Sequence, residues 1–287
     1  MTTIDELRTP AGAEIGAKSS GPGGVPSRRR APRFSPRLLI RLLLFLTAVA
    51  GLYLAWVIGS HHFASYILPG PSPVWASFKS AVSRGVWATD VEATLSHMFL
   101  AYGITIGIGL PLGILIGRFW VIEDLSRALL IFLQTVPTVV LIALALIFVG
   151  TTATGVIAVT VASCLTYFTL NVIQGTKSID RDLIEMARSY GASELTIMRS
   201  IILPSVVPYF LAGGRITLGV AWQVTLFGEY LMGTPGIGFQ VSAAIKLLDT
   251  ASVYAWGLSV VVLTIAFEYG VFRPVEALLT RHMRRSD

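Results

Sequence analysis

Charge is what this chain has least of. Asp, Glu, Lys and Arg make up 13% of its 287 residues, against roughly 25% in an average soluble domain. Cysteine is nearly absent too, and the single Cys164 excludes an intramolecular disulfide, leaving it as a small packing residue. Histidine occurs four times, as the adjacent His61 and His62, His97 and His282, and none of these has metal-ligand spacing. No nucleophile motif, phosphate-binding glycine loop or catalytic pair of carboxylates occurs either. The chain is therefore expected to have no catalytic residues, bound cofactor or metal, so any uphill work must be driven by a partner or an ion gradient.

What fills the chain is apolar, with 54% hydrophobic residues. Residues 128 to 176 carry no charged side chain. As one helix they would extend about 73 Å, and a bilayer core is only about 30 Å thick. The run must fold back, and Gly150-Thr151-Thr152-Ala153-Thr154-Gly155 holds its only cluster of turn residues. With the other apolar runs this predicts an all-α, polytopic membrane protein. Its six spans lie at about 40–60, 98–117, 128–149, 154–176, 205–228 and 250–272, after a basic tail at 1–37.

That tail is rich in Pro, Gly, Ser and Arg and has little apolar surface to offset the entropy of ordering it. Arg28-Arg29-Arg30-Ala31-Pro32-Arg33 suits anionic lipid headgroups, and nucleic acid is not an expected partner. A cleaved leader is not expected, because the basic stretch is too long and the first apolar run exceeds a usual signal core. Alternate loops divide the 22 Lys and Arg unevenly. One side carries 19 of them: eight in 1–41, two in 118–127, four in 177–199, Arg215, and four from 273 onward. The other side has Lys79, Arg84 and Lys246. The positive-inside rule then predicts that both termini are cytoplasmic.

A polar island at 178–203 interrupts the apolar runs on that side. Ser178 or Asp180 can cap a helix, with Ile179, Leu183, Ile184, Met186 and Ala187 as its apolar positions. Gly191 suits a left-handed C-cap. A second helix starts at Ala192-Ser193-Glu194, with Leu195, Ile197, Met198, Ile201 and Ile202 apolar, and Pro204 and Pro208 are expected to end or kink it. The prediction is a helical hairpin whose apolar patch, lacking a core of its own, calls for a partner protein.

The pattern Glu185-x-Ala187-x-x-x-Gly191, nine residues, then Ile201-x-Leu203-Pro204 resembles the signature loop of permease subunits of ATP-binding-cassette (ABC) importers. Met186 stands where a second Ala is usual. Leu68-Pro69-Gly70-Pro71-Ser72-Pro73, Gly191-Ala192-Ser193, Ala221-Trp222-Gln223 with Glu229, and Gly236-Ile237-Gly238 are similar to the nitrate, sulfonate and taurine branch. Gln134-Thr135-Val136-Pro137-Thr138 departs from that branch's Arg-Pro-x-Pro-Pro. The resemblance implies a type I importer-like fold and a bacterial cytoplasmic (inner) membrane location. It also implies ATPase coupling through Glu185, Ala187, Gly191, Ala192, Leu203 and Pro204. Implied partners are two cytoplasmic ATPase subunits carrying ATP and Mg, a second permease copy, an extracytoplasmic solute-binding protein and membrane lipids. The implied solute is a small anion such as a sulfonate, taurine or nitrate, with precursors of thiamine-like or flavin cofactors as further options.

Trp222, Gln223 and Glu229 are the candidate pathway residues. Glu229 has two readings, an outer gate or a solvated helix end. Trp222 likewise suits a pore or plain packing, with Gly213, Gly214 and Gly219 permitting close helix approach. Arg215 is expected to snorkel toward phosphates, Glu268 carries no assigned transport role, and Pro111 and Pro137 are expected to kink their spans. Two readings from other classes are a secondary transporter, which would show repeats or intramembrane ion-coupling charges, and a non-transporting scaffold that binds a partner through the hairpin.

Overall fold

The structure, a computed structural model, describes residues 36–267 and 269–270. The tail at 1–35, Glu268 and the end of the last expected span lie outside the described residues. Among those described there are eleven α-helices and no strand. The chain divides at Leu52 and Tyr53 into two compact units, and α1 (Pro36–His62) runs through the division. In the first unit the described residues are one apolar helical stretch, exposed at residues 40 and 43–52.

The second unit is built on α6 (Ala153–Lys177), which packs on α3 (Val86–Arg118) and on α9 (Leu203–Met232) more extensively than any other two helices pack on each other. Gly109, Gly113 and Gly117 set the seam between α3 and α6 at every fourth residue. A Cβ at these positions would come within 2.7 Å of Phe168, 2.6 Å of Val172 and 2.7 Å of Thr176, respectively. Small residues at this spacing let two backbones approach where lipid supplies no hydrophobic drive between helices. Gly213 serves α6 and α9 in the same way, its Cβ position being 2.7 Å from Asn171 Cβ, whereas Gly219 faces open space and mediates no packing. Cys164 is buried, with its Sγ 3.6 Å from the Thr217 carbonyl.

The chain departs from the expected spans in three ways. First, α3 starts at Val86 rather than near 98. Asp90 interrupts the apolar run without interrupting the helix, because it is buried against a partner described below. Second, the expected span at 128–149 is two helices, α4 (Trp120–Thr135) and α5 (Thr138–Val149), bent by 94°. Pro137 disfavours helical backbone at Val136, which is extended at ψ 123°. Among the described residues five helical stretches are long and apolar enough to cross a membrane, and six if that bent pair is one span.

Third, Pro204 and Pro208 do not end the helix that follows the hairpin, since helical structure runs unbroken through Glu194–Met232. A proline ring clashes with the carbonyl four residues back. A π-turn at Met198–Ile202, immediately before α9, opens the backbone at that place. Two further short helices, α2 (Pro71–Ser83) and α10 (Ile237–Lys246), cover the far end of the core and fall where the sequence pointed only to loops and a turn.

Candidate functional site

The hairpin is built from α7 (Arg181–Ser189) and α8 (Glu194–Ile197). Asp180 caps α7, its Oδ1 accepting from the Asp182 N–H at 2.9 Å. Gly191, at φ +80°, ends it. The Gly191 N–H donates to the Arg188 carbonyl at 2.9 Å and the Ala192 N–H to the Ala187 carbonyl at 3.0 Å. This pair of bonds is a Schellman motif, which closes a helix with a glycine in the left-handed region and an apolar contact between the residues bracketing it. Ala187 and Ala192 are those bracketing residues, and both pack toward the buried Ile197, Ile202 and Phe168. Ser193 then caps α8 by accepting from the Thr196 N–H at 3.2 Å. Glu194 closes the reversal by accepting from Arg188 Nε at 3.0 Å and from Arg118 at the end of α3.

The apolar positions of α7 and of the residues just before it divide into two sets. Ile179, Ile184 and Ala187 pack on the core, so this half of the predicted patch is already covered by the chain itself. Leu183 and Met186 face outward with Tyr190, which is 86% exposed, and Leu195 joins them from α8. Glu185 is exposed, while Leu203 and Pro204 lie at exposed positions at the start of α9. Of the six residues carried over from the signature loop, Ala187 and Ala192 thus support the hairpin from inside.

At the other end of α9 the structure corrects the solvated reading of Glu229. Its side chain is fully buried. Thr94 Oγ1 donates to Glu229 Oε2 at 2.8 Å, His97 Nδ1 lies 3.0 Å from Oε1, and the Gly238 N–H donates to Oε2 at 3.1 Å. Thr94 in turn accepts from the Ile237 N–H at 2.9 Å. Asp90, one turn before Thr94, accepts from Gln240 Nε2 at 2.7 Å. Buried carboxylates demand such partners, and these bonds fasten α10 to α3 and α9. The Gly-Ile-Gly turn makes room for them: a Cβ on Gly236 would lie 2.3 Å from the Glu229 carboxyl carbon, and one on Gly238 would lie 2.1 Å from the Leu226 carbonyl oxygen. Sequence reading missed Asp90, Thr94, His97 and Gln240 as one network. The polar stripe Asp90, Thr94, His97 along one helix face is the signal that could have found three of them.

Of the remaining pathway candidates, Gln223 is exposed. Trp222 packs on Phe267, with ring centroids 5.9 Å apart, and lines a cavity of about 350 Å³ together with Arg215, Met98 and Leu218. The cavity brings an arginine and an indole to one mostly apolar space within the spans.

Residues 109–272 match the family described as binding-protein-dependent transport system inner membrane component. A probable ABC transporter permease protein of Brucella melitensis is 27% identical over 215 residues, covering 75% of this chain and 85% of that protein. The taurine transport system permease protein of Escherichia coli is 28% identical over 190 residues, or 66% of this chain and 69% of that protein. The formylaminopyrimidine transport permease protein of Halalkalibacterium halodurans is 30% identical, over 66% of this chain and 76% of its own. A chain of the inward-facing MetNI methionine ABC transporter shares the fold at a TM-score of 0.58 and 21% identity, over 68% of this chain and 97% of that one. With its apolar helices, signature hairpin and matched family, this chain belongs to the binding-protein-dependent inner membrane components and is a multi-pass permease subunit of an ABC importer.

Proposed function

We propose that two copies of this chain enclose one solute path and that each copy docks a cytoplasmic ATPase subunit through its hairpin. The observation that carries this reading is the divided hairpin. Ile184, Ala187 and Ala192 fix it to the core, while Leu183, Met186, Tyr190 and Leu195 stay exposed on a charged frame. Apolar side chains held outward on a rigid support suit a partner's cleft. Glu185 and Gly191 lie at the contact; Leu203 and Pro204 pass the displacement into α9.

ATP and Mg bound between the two ATPase subunits would draw them together. The hairpins follow, and the fused helices rock between inward- and outward-facing arrangements. The permease performs no chemistry of its own in this cycle. Both termini and the hairpin face the cytoplasm, as the basic residues favour, and an external binding protein delivers the solute at the face of α2 and α10. The solute we propose is a small sulfonate-like anion. Similar permeases are named for taurine and for aliphatic sulfonates, and the cavity at Trp222 includes the cation Arg215.

A pull-down from native membranes, comparing wild type with Glu185→Ala combined with Gly191→Arg, tests the docking surface. Recovery of an ATPase with wild type and its loss with the variant, while the solute-binding protein is retained by both, is the expected result. Equal recovery of the ATPase by both would remove the hairpin from the coupling contact. Solute-dependent ATP hydrolysis in vesicles containing the full complex then tests the substrate class, with taurine and alkanesulfonates expected to stimulate.

A further inference from the structure

A second charged cavity lies between α3, α4 and α6, apart from the hairpin's outward face and from the Trp222 cavity. Its volume is about 440 Å³. Arg127, Lys177, Glu123 and Gln134 form its polar part, and Leu130, Ile131 and Leu170 are among the residues of its apolar wall. Lys177 pairs with Glu123, whereas Arg127 is exposed and makes no ion pair among the described residues. The cleft's two cations and one carboxylate leave a single positive charge.

Its depth in the membrane is marked by its neighbours. At this end α3 finishes at Arg118, α4 begins at Trp120 and α6 finishes at Lys177. Phe119 and Trp120 stand exposed beside it, by 47% and 72%. Exposed aromatic residues next to basic ones at the ends of spans mark the headgroup level of a bilayer. A charged mouth at that level, continued by an apolar wall along the spans, has the two-part character of a phospholipid.

We propose that this cleft holds one anionic phospholipid, its phosphodiester against Arg127 and Lys177 and one acyl chain along Leu130, Ile131 and Leu170. A phosphodiester carries one negative charge and matches the one positive charge of the cleft, and Arg is well suited to phosphate oxygens. A small water-soluble oxyanion could meet the same cations but would leave the apolar wall uncovered. The bound lipid would join the start of α4 to α6 next to the hairpin, so the composition of the bilayer would bear on how firmly the hairpin's base is held.

Native mass spectrometry of the full chain, titrated with phosphatidylglycerol or phosphatidylethanolamine, tests this. Arg127→Gln is expected to weaken phosphatidylglycerol binding about fivefold and Arg127→Glu about 25-fold. Phosphatidylethanolamine, whose ammonium offsets the charge of the same phosphodiester, should bind more weakly than phosphatidylglycerol and lose less on either substitution, and Arg84→Gln, an exposed arginine at the far end, should behave as wild type. Equal phosphatidylglycerol affinity in all four proteins would overturn the proposal. So would displacement of the lipid by methanesulfonate or glycerol phosphate at concentrations near the lipid's own, which would make the cleft a site for a free oxyanion. Neither transport nor ATP hydrolysis is read, so either outcome is independent of the docking proposal.

Discussion

At the hairpin end, the bonds that shape α7 close over short loops: Gly191 to Arg188, Tyr190 to Met186, Ala192 to Ala187. At the far end of α9, Glu229 is held by Thr94 and His97, 135 and 132 residues away in sequence. The first region is a surface device with a wet outer face. The second is a buried polar knot that makes α3, α9 and α10 a single body. A transporter that rocks needs both kinds of construction. A hairpin whose turn is capped by its own backbone and whose inner face rests on the core can present its outer face to a partner, whereas helices that move together must be tied by groups that cannot exchange their partners for water.

Breaking the knot should have the largest effect. Glu229→Leu removes the acceptor for Thr94, His97 and the Gly238 N–H, and is expected to destabilise the detergent-solubilised protein by about 1–3 kcal/mol for each buried donor left without a partner. Thermal unfolding monitored by size-exclusion chromatography would show it. Unchanged melting would mean that the three donors find other partners and that the knot does not hold α10.

The two glycines sharpen the contrast. Gly238→Ala forces a Cβ to within 2.1 Å of the Leu226 backbone oxygen, and such overpacking costs about 1–3 kcal/mol. Gly191→Ala meets nothing within 4 Å, so only its left-handed backbone opposes the substitution, at about 1 kcal/mol. Asn tolerates that backbone better than Ala. Melting measurements should therefore show Gly191→Asn less destabilised than Gly191→Ala, while Gly238→Asn is at least as damaged as Gly238→Ala. If Asn rescues neither position or both, the distinction between a glycine kept for its φ and one kept for its space fails.

Arg188→Ala should have the smallest effect. The Arg188 and Glu194 pair is exposed, and exposed ion pairs contribute little to stability. No measurable shift in melting is expected, and a large one would mean that the hairpin depends on this pair as the far end depends on Glu229.

Local devices were readable before the fold was known. Gly191 as a left-handed cap and Asp180 as one of two cap candidates follow from residue type and spacing, because a cap bonds only to its own chain within a few residues. The turn at 150–155 followed from length, since an uncharged run of that extent exceeds a bilayer. The inward or outward assignment of Leu183, Met186, Ile184 and Ala187 was not readable, because apolar spacing does not tell which face another helix covers. Nor was the severity of the bend at Pro137: proline announces a break, but its angle depends on what packs around it.

Sequence alone therefore determined the solvent this protein lives in and the position of the charged hairpin, since these depend on composition, length and local backbone chemistry. Tertiary structure decided that Glu229 is a buried fastening rather than a solvated helix end. It also decided that Gly109, Gly113 and Gly117 form a seam with α6, and that Arg127 and Lys177 share a cleft. The reason is physical: burial, close approach and shared cavities depend on pairs of residues far apart in the chain, and only packing brings them together.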